Sequence, residues 1–395
     1  MGFLLKLGSR RRIGFELDTS EGLANLNTLA RSRQETVAHP DTLNHFLSHM
    51  PTRALEGLRR QMVQRLIRMK LLDYARLHGR FPVVIDATGQ LHFHQRHCAQ
   101  CLERTSNGQT HYYHQVLEAK LVTPDGLAIS LASEFIENAD PKATKQDCEL
   151  KAFRRLAGRL KKDFPQLSLC LLFDALYANG GVMDLCERNH WKYIITFKEG
   201  SLPALWREYQ SLHKLSPKNH REHTTPEGAH QEFSWVENLE HVDDQKRTHR
   251  PAAFQCLETK PGGKDPAKAT LFAWLTNFTP GPLNVADLAN RGGRCRWKIE
   301  NQGFNIQKNG GFNLEHAYST GQRQIKNFYL LLQIAHLLTQ LMERGSLLTQ
   351  DAKRLFGSLG NLARRLAESI RNVLIPPEAL DPALAAAIQI RLNSS

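Results

Sequence analysis

Apolar residues recur every three to four positions through the first eighty residues. Leu43, Phe46 and Leu47, then Leu55, Leu58, Met62, Leu66 and Met69, keep the period of one helix face. Residues 1–78 are therefore predicted to be helical. The polar side of the second stretch carries Arg59, Arg60, Arg65, Arg68 and Lys70 and reads as a solvated basic face.

The pattern changes at Phe81. Pro82-Val83-Val84-Ile85 is wholly apolar and ends at Asp86, as expected of a buried central strand. His111 to Val122 and Leu127 to Leu131 predict two more strands, separated by the turn Pro124-Asp125-Gly126. Thr144 and Asp147 suggest a capping box, followed by a helix with the apolar stripe Leu150, Phe153, Leu156, Ala157 and Leu160. Leu167 to Phe173 is another apolar strand, closed by Asp174. A helix from about Val182 to Asn189 and a strand from Tyr193 to Phe197 follow. The order is β-β-β-α-β-α-β.

Residues 199–280 break this rhythm. Short strand-like pieces at Phe233 to Leu239, Phe254 to Thr259 and Thr270 to Asn277 mark a β-rich insertion. Helical patterning returns beyond Asp287, through Lys308 and again from Gln322 to Met342. The expected organisation is thus 1–78, helical; 79–198, the first part of an α/β core; 199–280, the insertion; 281–345, the second part of the core; and 346–395, a helical tail.

Charge narrows the class of partner. Over 395 residues the formal charge is +13, and 41% of residues are hydrophobic, enough for a core. A surplus of that size points to a polyanion, with nucleic acid ahead of an acidic membrane. No apolar run is long enough to span a bilayer. Phe3 to Leu7 contains Lys6 and runs into Arg10-Arg11-Arg12, unlike a secretion signal. Seven cysteines, an odd number, suit a reducing compartment, so a cytoplasmic protein is expected, associated with the nucleoid when bound to DNA. No Gly-x4-Gly-Lys-Ser/Thr loop occurs, which argues against a nucleotide cofactor.

Asp86 and Asp174 each close an apolar strand, where α/β sheets present groups to a crevice. Either alone is as readily a turn cap. Two in one αβ unit favour a site for a divalent cation, which neutralises carboxylates that otherwise repel. Glu300 is the best third member. It lies in Arg294-Cys295-Arg296-Trp297-Lys298-Ile299-Glu300-Asn301, four residues after Arg296 and so on the same helical face.

These residues resemble a known family. Ile85-Asp86-Ala87-Thr88-Gly89, Phe173-Asp174-Ala175-Leu176-Tyr177-Ala178-Asn179 and Arg296-Trp297-Lys298-Ile299-Glu300-Asn301 look like the Asp-Asp-Glu (DDE) motifs of bacterial insertion-sequence transposases. The closest subgroup has a Tyr–Arg–Glu–Lys signature and a β-strand insertion between the second Asp and the Glu. The resemblance implies an RNase H-like mixed β-sheet core flanked by helices, interrupted by the β-rich insertion, with helical N- and C-terminal regions. It also implies Mg²⁺, or Mn²⁺ in its place, held by Asp86, Asp174 and Glu300, for DNA cleavage and strand transfer. Arg294, Arg296, Lys298 and Lys308 would contact DNA. The implied partners are double-stranded DNA, both transposon ends and target, and a second copy of the chain. The signature departs at two places. Its tyrosine position falls on Gly293, and its lysine position falls on Gln307, one residue before Lys308. On a regular helix Gln307 stands about 20° from Glu300 and Lys308 about 80°.

Glu149, expected in the first turn of its helix, is read as a favourable charge at a helix N-terminus. The basic run of that helix, Lys151, Arg154, Arg155, Arg159, Lys161 and Lys162, suggests a DNA-facing side. Cys98 and Cys101 form a Cys-x2-Cys pair, half of a structural Zn²⁺ site, with His111, His114 or Cys148 as candidate further ligands. Two rivals share the sequence features: an RNase H-like nuclease without strand transfer, and an inactive, domesticated DNA-binding protein.

Overall fold

A computed structural model of the protein describes residues 1–138, 145–261, 269–345, 355–386 and 390–392. The fold is mixed α/β. The chain divides into two compact units, each assembled from separate stretches. Among the described residues, no helix is long and apolar enough to cross a membrane.

The first unit comprises Met1–Leu71, Gly89–Gln115 and Gly303–Ser395. It opens with α1 (Arg10–Leu17), α2 (Ser20–Ala30), α3 (Pro40–His49) and α4 (Thr52–Arg68). Leu55, Val63 and Leu66 of α4 are buried, as the periodicity predicts. Arg59 is buried too, so the basic face is not wholly solvated. In the second unit, Leu72–Thr88 and Val116–Gln302, the sheet begins. β1 (Phe81–Phe93) starts there and ends in the first unit; β2 (Leu102–Ser106) pairs antiparallel with the start of β3 (Gln109–Val122), which re-enters the second unit.

The second unit continues with β4 (Ala128–Ile136), α5 (Glu149–Asp163), β5 (Leu169–Phe173), α6 (Gly180–Arg188) and β6 (Lys192–Thr196). Thr144 of the expected capping box lies outside the described residues; the helix begins after Cys148, which makes no side-chain cap. The insertion holds a helix as well as strands: α7 (Pro203–Leu215), then β7 (His220–Thr224), β8 (His230–Val236), β9 (His241–Val242), β10 (Thr248–His249), β11 (Ala252–Thr259) and β12 (Thr270–Thr276).

β1, β5 and β6 run parallel, with Val84 opposite Leu172 and Leu172 opposite Ile194. β3 neighbours β1 and pairs with β4. On the other side β12 joins β6 antiparallel, and β11, β8 and β7 extend the sheet. Val83 to Ile85 and Leu169 to Phe173 are fully buried, which is why these strands read as unbroken apolar runs. Ala152, Phe153, Leu156, Ala157 and Leu160 of α5 are buried, and the helix packs on β4. The Phe153 ring meets Phe173 edge-on at 5.1 Å.

The chain then passes through α8 (Val285–Asp287), a π-helical turn Leu288–Gly292, a 3₁₀ stretch Gly293–Arg296, a second π-helical turn Ile299–Phe304 and α9 (Asn305–Asn309). In the first unit, α10 (Gln322–Arg344) packs on α3 and α4. The Asn327 side chain donates to the carbonyls of Leu47 and Met50 at the end of α3, at 2.8 and 2.9 Å. These acceptors lack partners within their own helix. α11 (Leu359–Asn372) and α12 (Pro377–Ala385) complete the unit. Leu366, Ala367 and Ile370 pack against Leu5, Leu7 and Leu17.

Candidate active site

Asp86, Asp174 and Glu300 all belong to the second unit, and their charges interact. Asp86 does not end its strand: β1 continues to Phe93, and only its apolar part stops there. Thr88, Gln90 and Leu91 stay buried beyond it, a pattern hidden in the sequence by Gly89 and by the polar residues. The Ala87 N–H donates to Asp86 Oδ1 at 2.9 Å, and Arg296 Nη1 stands 3.3 Å from Oδ2. Burial raises the Asp86 carboxyl from its ordinary 3.8 to about 6, opposed by Arg296 and the Ala87 N–H and reinforced by the charges of Asp174 and Glu300. Two carboxylates distant in sequence therefore share a field with Asp86.

Asp174 closes β5 as expected. It also performs the plainer task considered for it: its Oδ1 accepts the Leu176 N–H at 2.9 Å and caps a 3₁₀ turn over Ala175–Tyr177. Its second oxygen has no part in that cap. Glu300 is exposed in the second π-helical turn. The three carboxylates do not form a closed cluster. Among the described residues, only Cys98, Cys101 and His114 place three His, Cys, Asp or Glu ligand atoms all within 4.8 Å of one another.

Tyr177 was not among the sequence candidates. It is buried, stacks on Phe173 at 4.9 Å, and its hydroxyl donates to Glu149 Oε2 at 3.3 Å. Burial drives its phenol far above the ordinary range, with further contributions from Glu149, Asp174 and Asp86. Glu149 thus stands beside the same acidic patch rather than serving only as a helix-terminal charge. The signal was Tyr177's place three residues after Asp174, in a motif quoted only for its aspartate.

The basic residues divide. Arg296 faces Asp86, and its guanidinium lies 5.3 Å from the centre of the exposed Trp297 ring. Arg294 is committed elsewhere, ion-paired with Glu258 and set over the Phe272 ring at 4.9 Å. Lys298 donates to the Pro124 carbonyl at 2.6 Å. Lys308 belongs to the first unit, where it pairs with Glu315 at 3.3 Å. Gln307 is fully buried there, donating to Gln333 and His336 at 2.9 Å. The regular helix assumed for 296–308 is corrected by the π-helical turn at Ile299–Phe304. Such a turn takes one residue more than an α turn, so a count across it arrives one residue late.

Gly293, at the signature tyrosine position, has its own explanation. A Cβ there would lie 2.3 Å from the indole of Trp274, which already fills the space. Trp274 also lines a cleft of about 600 Å³ with Lys198, Phe272, Arg294, Arg296 and Trp297. On α5, Arg155 bonds Glu134 and Asp147, both at 2.6 Å, and Arg159 bonds Glu134 at 2.9 Å. The basic run is thus partly neutralised by acids from β4 and the loop before the helix. No known family model and no curated protein matches this chain.

Proposed function

We propose that this chain is a DNA transposase that cuts and rejoins phosphodiesters through Asp86, Asp174 and Glu300, using Mg²⁺ or Mn²⁺. The observation that carries the reading is the largely buried Asp86 carboxylate, where the parallel pairing of β1 with β5 stops, held beside Arg296 and within the field of Asp174 and Glu300. Its strand order adds support: β4-β3-β1-β5-β6, with β1, β5 and β6 parallel, is the arrangement expected of an RNase H-like core, and strands of the insertion extend it from β6.

The donor set suits a hard divalent cation: oxygen ligands only, at least one of them desolvated. When bound, the cation would activate water and then a DNA 3′-OH for in-line attack. Asp86 and Asp174 each fix one oxygen on a backbone N–H, and Asp86 Oδ2 pairs with Arg296. Arg296 holds Asp86 in place and can exchange that carboxylate for a phosphate oxygen of DNA. The exposed Trp297 offers a ring face beside Arg296, a combination suited to an unpaired base. Joining two transposon ends to one target requires two active sites, so a dimer on DNA follows.

Incubating the protein with linear DNA carrying the element's own ends and Mg²⁺ or Mn²⁺, next to Asp174→Ala, tests the reading. Free 3′-OH ends made only by the wild type, and joined to a second duplex, are expected. Cutting without joining would make the chain a nuclease. Binding without cutting by either protein would leave a DNA-binding protein without chemistry.

A further inference from the structure

In the first unit, the stretch after β1 and the start of β3 gather two thiols and an imidazole. Cys98 Sγ and Cys101 Sγ are 3.5 Å apart, and each lies 3.5 Å from His114 Nε2. Cys101 is fully buried and His114 is 7% exposed, whereas Cys98 is partly exposed. The backbone explains how three residues so placed come together. The turn from Cys98 to Cys101 is closed by the Cys101 N–H on the Cys98 carbonyl at 3.3 Å, which brings both sulfurs to one side. Leu102 pairs with Tyr113 in the β2–β3 ladder, so the register continued by one residue sets Cys101 opposite His114. Directly opposed residues share a sheet face, and side chains alternate along a strand. His111, three residues from His114, therefore points to the other face, and Cys148 belongs to the second unit. Of the three candidate partners for the thiol pair, the strand geometry selects His114.

The geometry points to a Zn²⁺ site made by Cys98, Cys101 and His114. Zinc–sulfur bonds of about 2.3 Å and zinc–nitrogen bonds of about 2.0–2.1 Å, set tetrahedrally, require edges of about 3.8 Å between sulfurs and about 3.6 Å between sulfur and nitrogen. The three measured separations lie within a few tenths of an ångström of those edges. Two thiolates and an imidazole select a soft or borderline cation and discriminate against Mg²⁺, which prefers oxygen. The site is therefore chemically separate from the carboxylates and does not rest on the proposed catalytic function. Cys98 is the partly exposed ligand, so a fourth donor could come from solvent. Phe93 covers the other side, its ring edge-on to His114 at 6.1 Å and stacked on His97 at 4.8 Å. The ion would fasten the otherwise exposed stretch around Arg96 to β3, making the base of the β2–β3 hairpin rigid.

The test uses the full chain, purified with reductant and zinc and measured for bound metal. One zinc per chain is expected, and cobalt in its place should give a thiolate-to-cobalt absorption band in the near ultraviolet. Cys101→Ala and His114→Ala should lose the metal, while His114→Cys should keep it and strengthen the band. Cys256→Ala, outside the cluster, should keep both. In wild type, zinc should slow tryptic cleavage after Arg96 and Arg104 by at least about tenfold relative to chelator-treated protein. Absence of metal from the wild type, a Cys98–Cys101 disulfide that persists in reductant, or full zinc occupancy in Cys101→Ala would each overturn the assignment. If the alanine variants fail to fold, the His114→Cys spectrum and the wild-type proteolysis decide.

Discussion

Asp86 has a folded-state pKa of about 6 against an ordinary value of 3.8, so between those values the folded protein holds a proton that the unfolded chain gives up. The cation-free protein should therefore lose stability as pH rises from about 4 to about 6, and then level off with respect to this group. A shift of this size on a side chain about a quarter exposed corresponds to roughly 1–3 kcal/mol after allowance for solvent screening. Asp86→Asn should remove the penalty. Thermal melting without divalent cations at pH 7 should place it above wild type, while DNA cleavage falls by about 10³-fold or more. A variant less stable than wild type at pH 7 would refute the penalty assigned to Asp86. Arg296→Ala acts on the same carboxyl in the opposite direction. Losing the nearby cation should raise the Asp86 pKa further and move the acid limb of Mn²⁺ binding, followed calorimetrically, to higher pH. An unmoved limb would show that the 3.3 Å pair is not maintained in solution.

The strand pattern located Asp86 and Asp174 because buried parallel strands leave an unmistakable apolar run, and the carboxylate that ends such a run stands out. The stretch Leu288–Phe304 was legible as helical but not in its true form. Hydrophobic periodicity averages over several turns and does not register a single added residue, so the π-helical turns were invisible. Nor did spacing reveal that Gly293 is small because Trp274, nineteen residues earlier, occupies its side-chain space. Burial of the opposing ring makes this a packing constraint, and Gly293→Ala should destabilise the protein by about 1–3 kcal/mol. Because the 3₁₀ stretch Gly293–Arg296 carries Arg296, the same change should also weaken cleavage. Denaturant unfolding with activity measured on the folded fraction separates the two effects; a neutral variant would mean that the indole yields without difficulty.

At the scale of the molecule, the surplus of +13 does not say which cations carry it: Arg155, Arg159 and Arg294 are ion-paired within the protein, so the uncompensated charge lies on other residues. Composition alone raised the expectation of a polyanion; which cations could meet one depends on acids brought near by folding. DNA binding should weaken steeply with salt, and Arg296→Ala should reduce the slope of log affinity against log salt by about 0.9, the loss of one phosphate contact. Arg155→Ala should leave that slope nearly unchanged and lower stability instead. Equal slope changes in the two variants, measured by fluorescence anisotropy across a salt series, would contradict this division of the charges. Domain limits were the least legible feature, since the compact units are woven from non-adjacent stretches that local periodicity cannot connect.

That weaving has a consequence during synthesis. The first 71 residues share a unit with residues 303–395, and Leu5, Leu7 and Leu17 pack on Leu366, Ala367 and Ile370. At roughly 5–20 residues per second, the ribosome leaves α1 to α4 waiting for about 10–50 seconds before α10 and α11 emerge to meet them. The second unit is complete once residue 302 has been made, shortly before α10 begins at Gln322. The amino-terminal helices therefore wait longest for their packing partners, and a premature stop after residue 302 should leave them as the first targets of proteolysis.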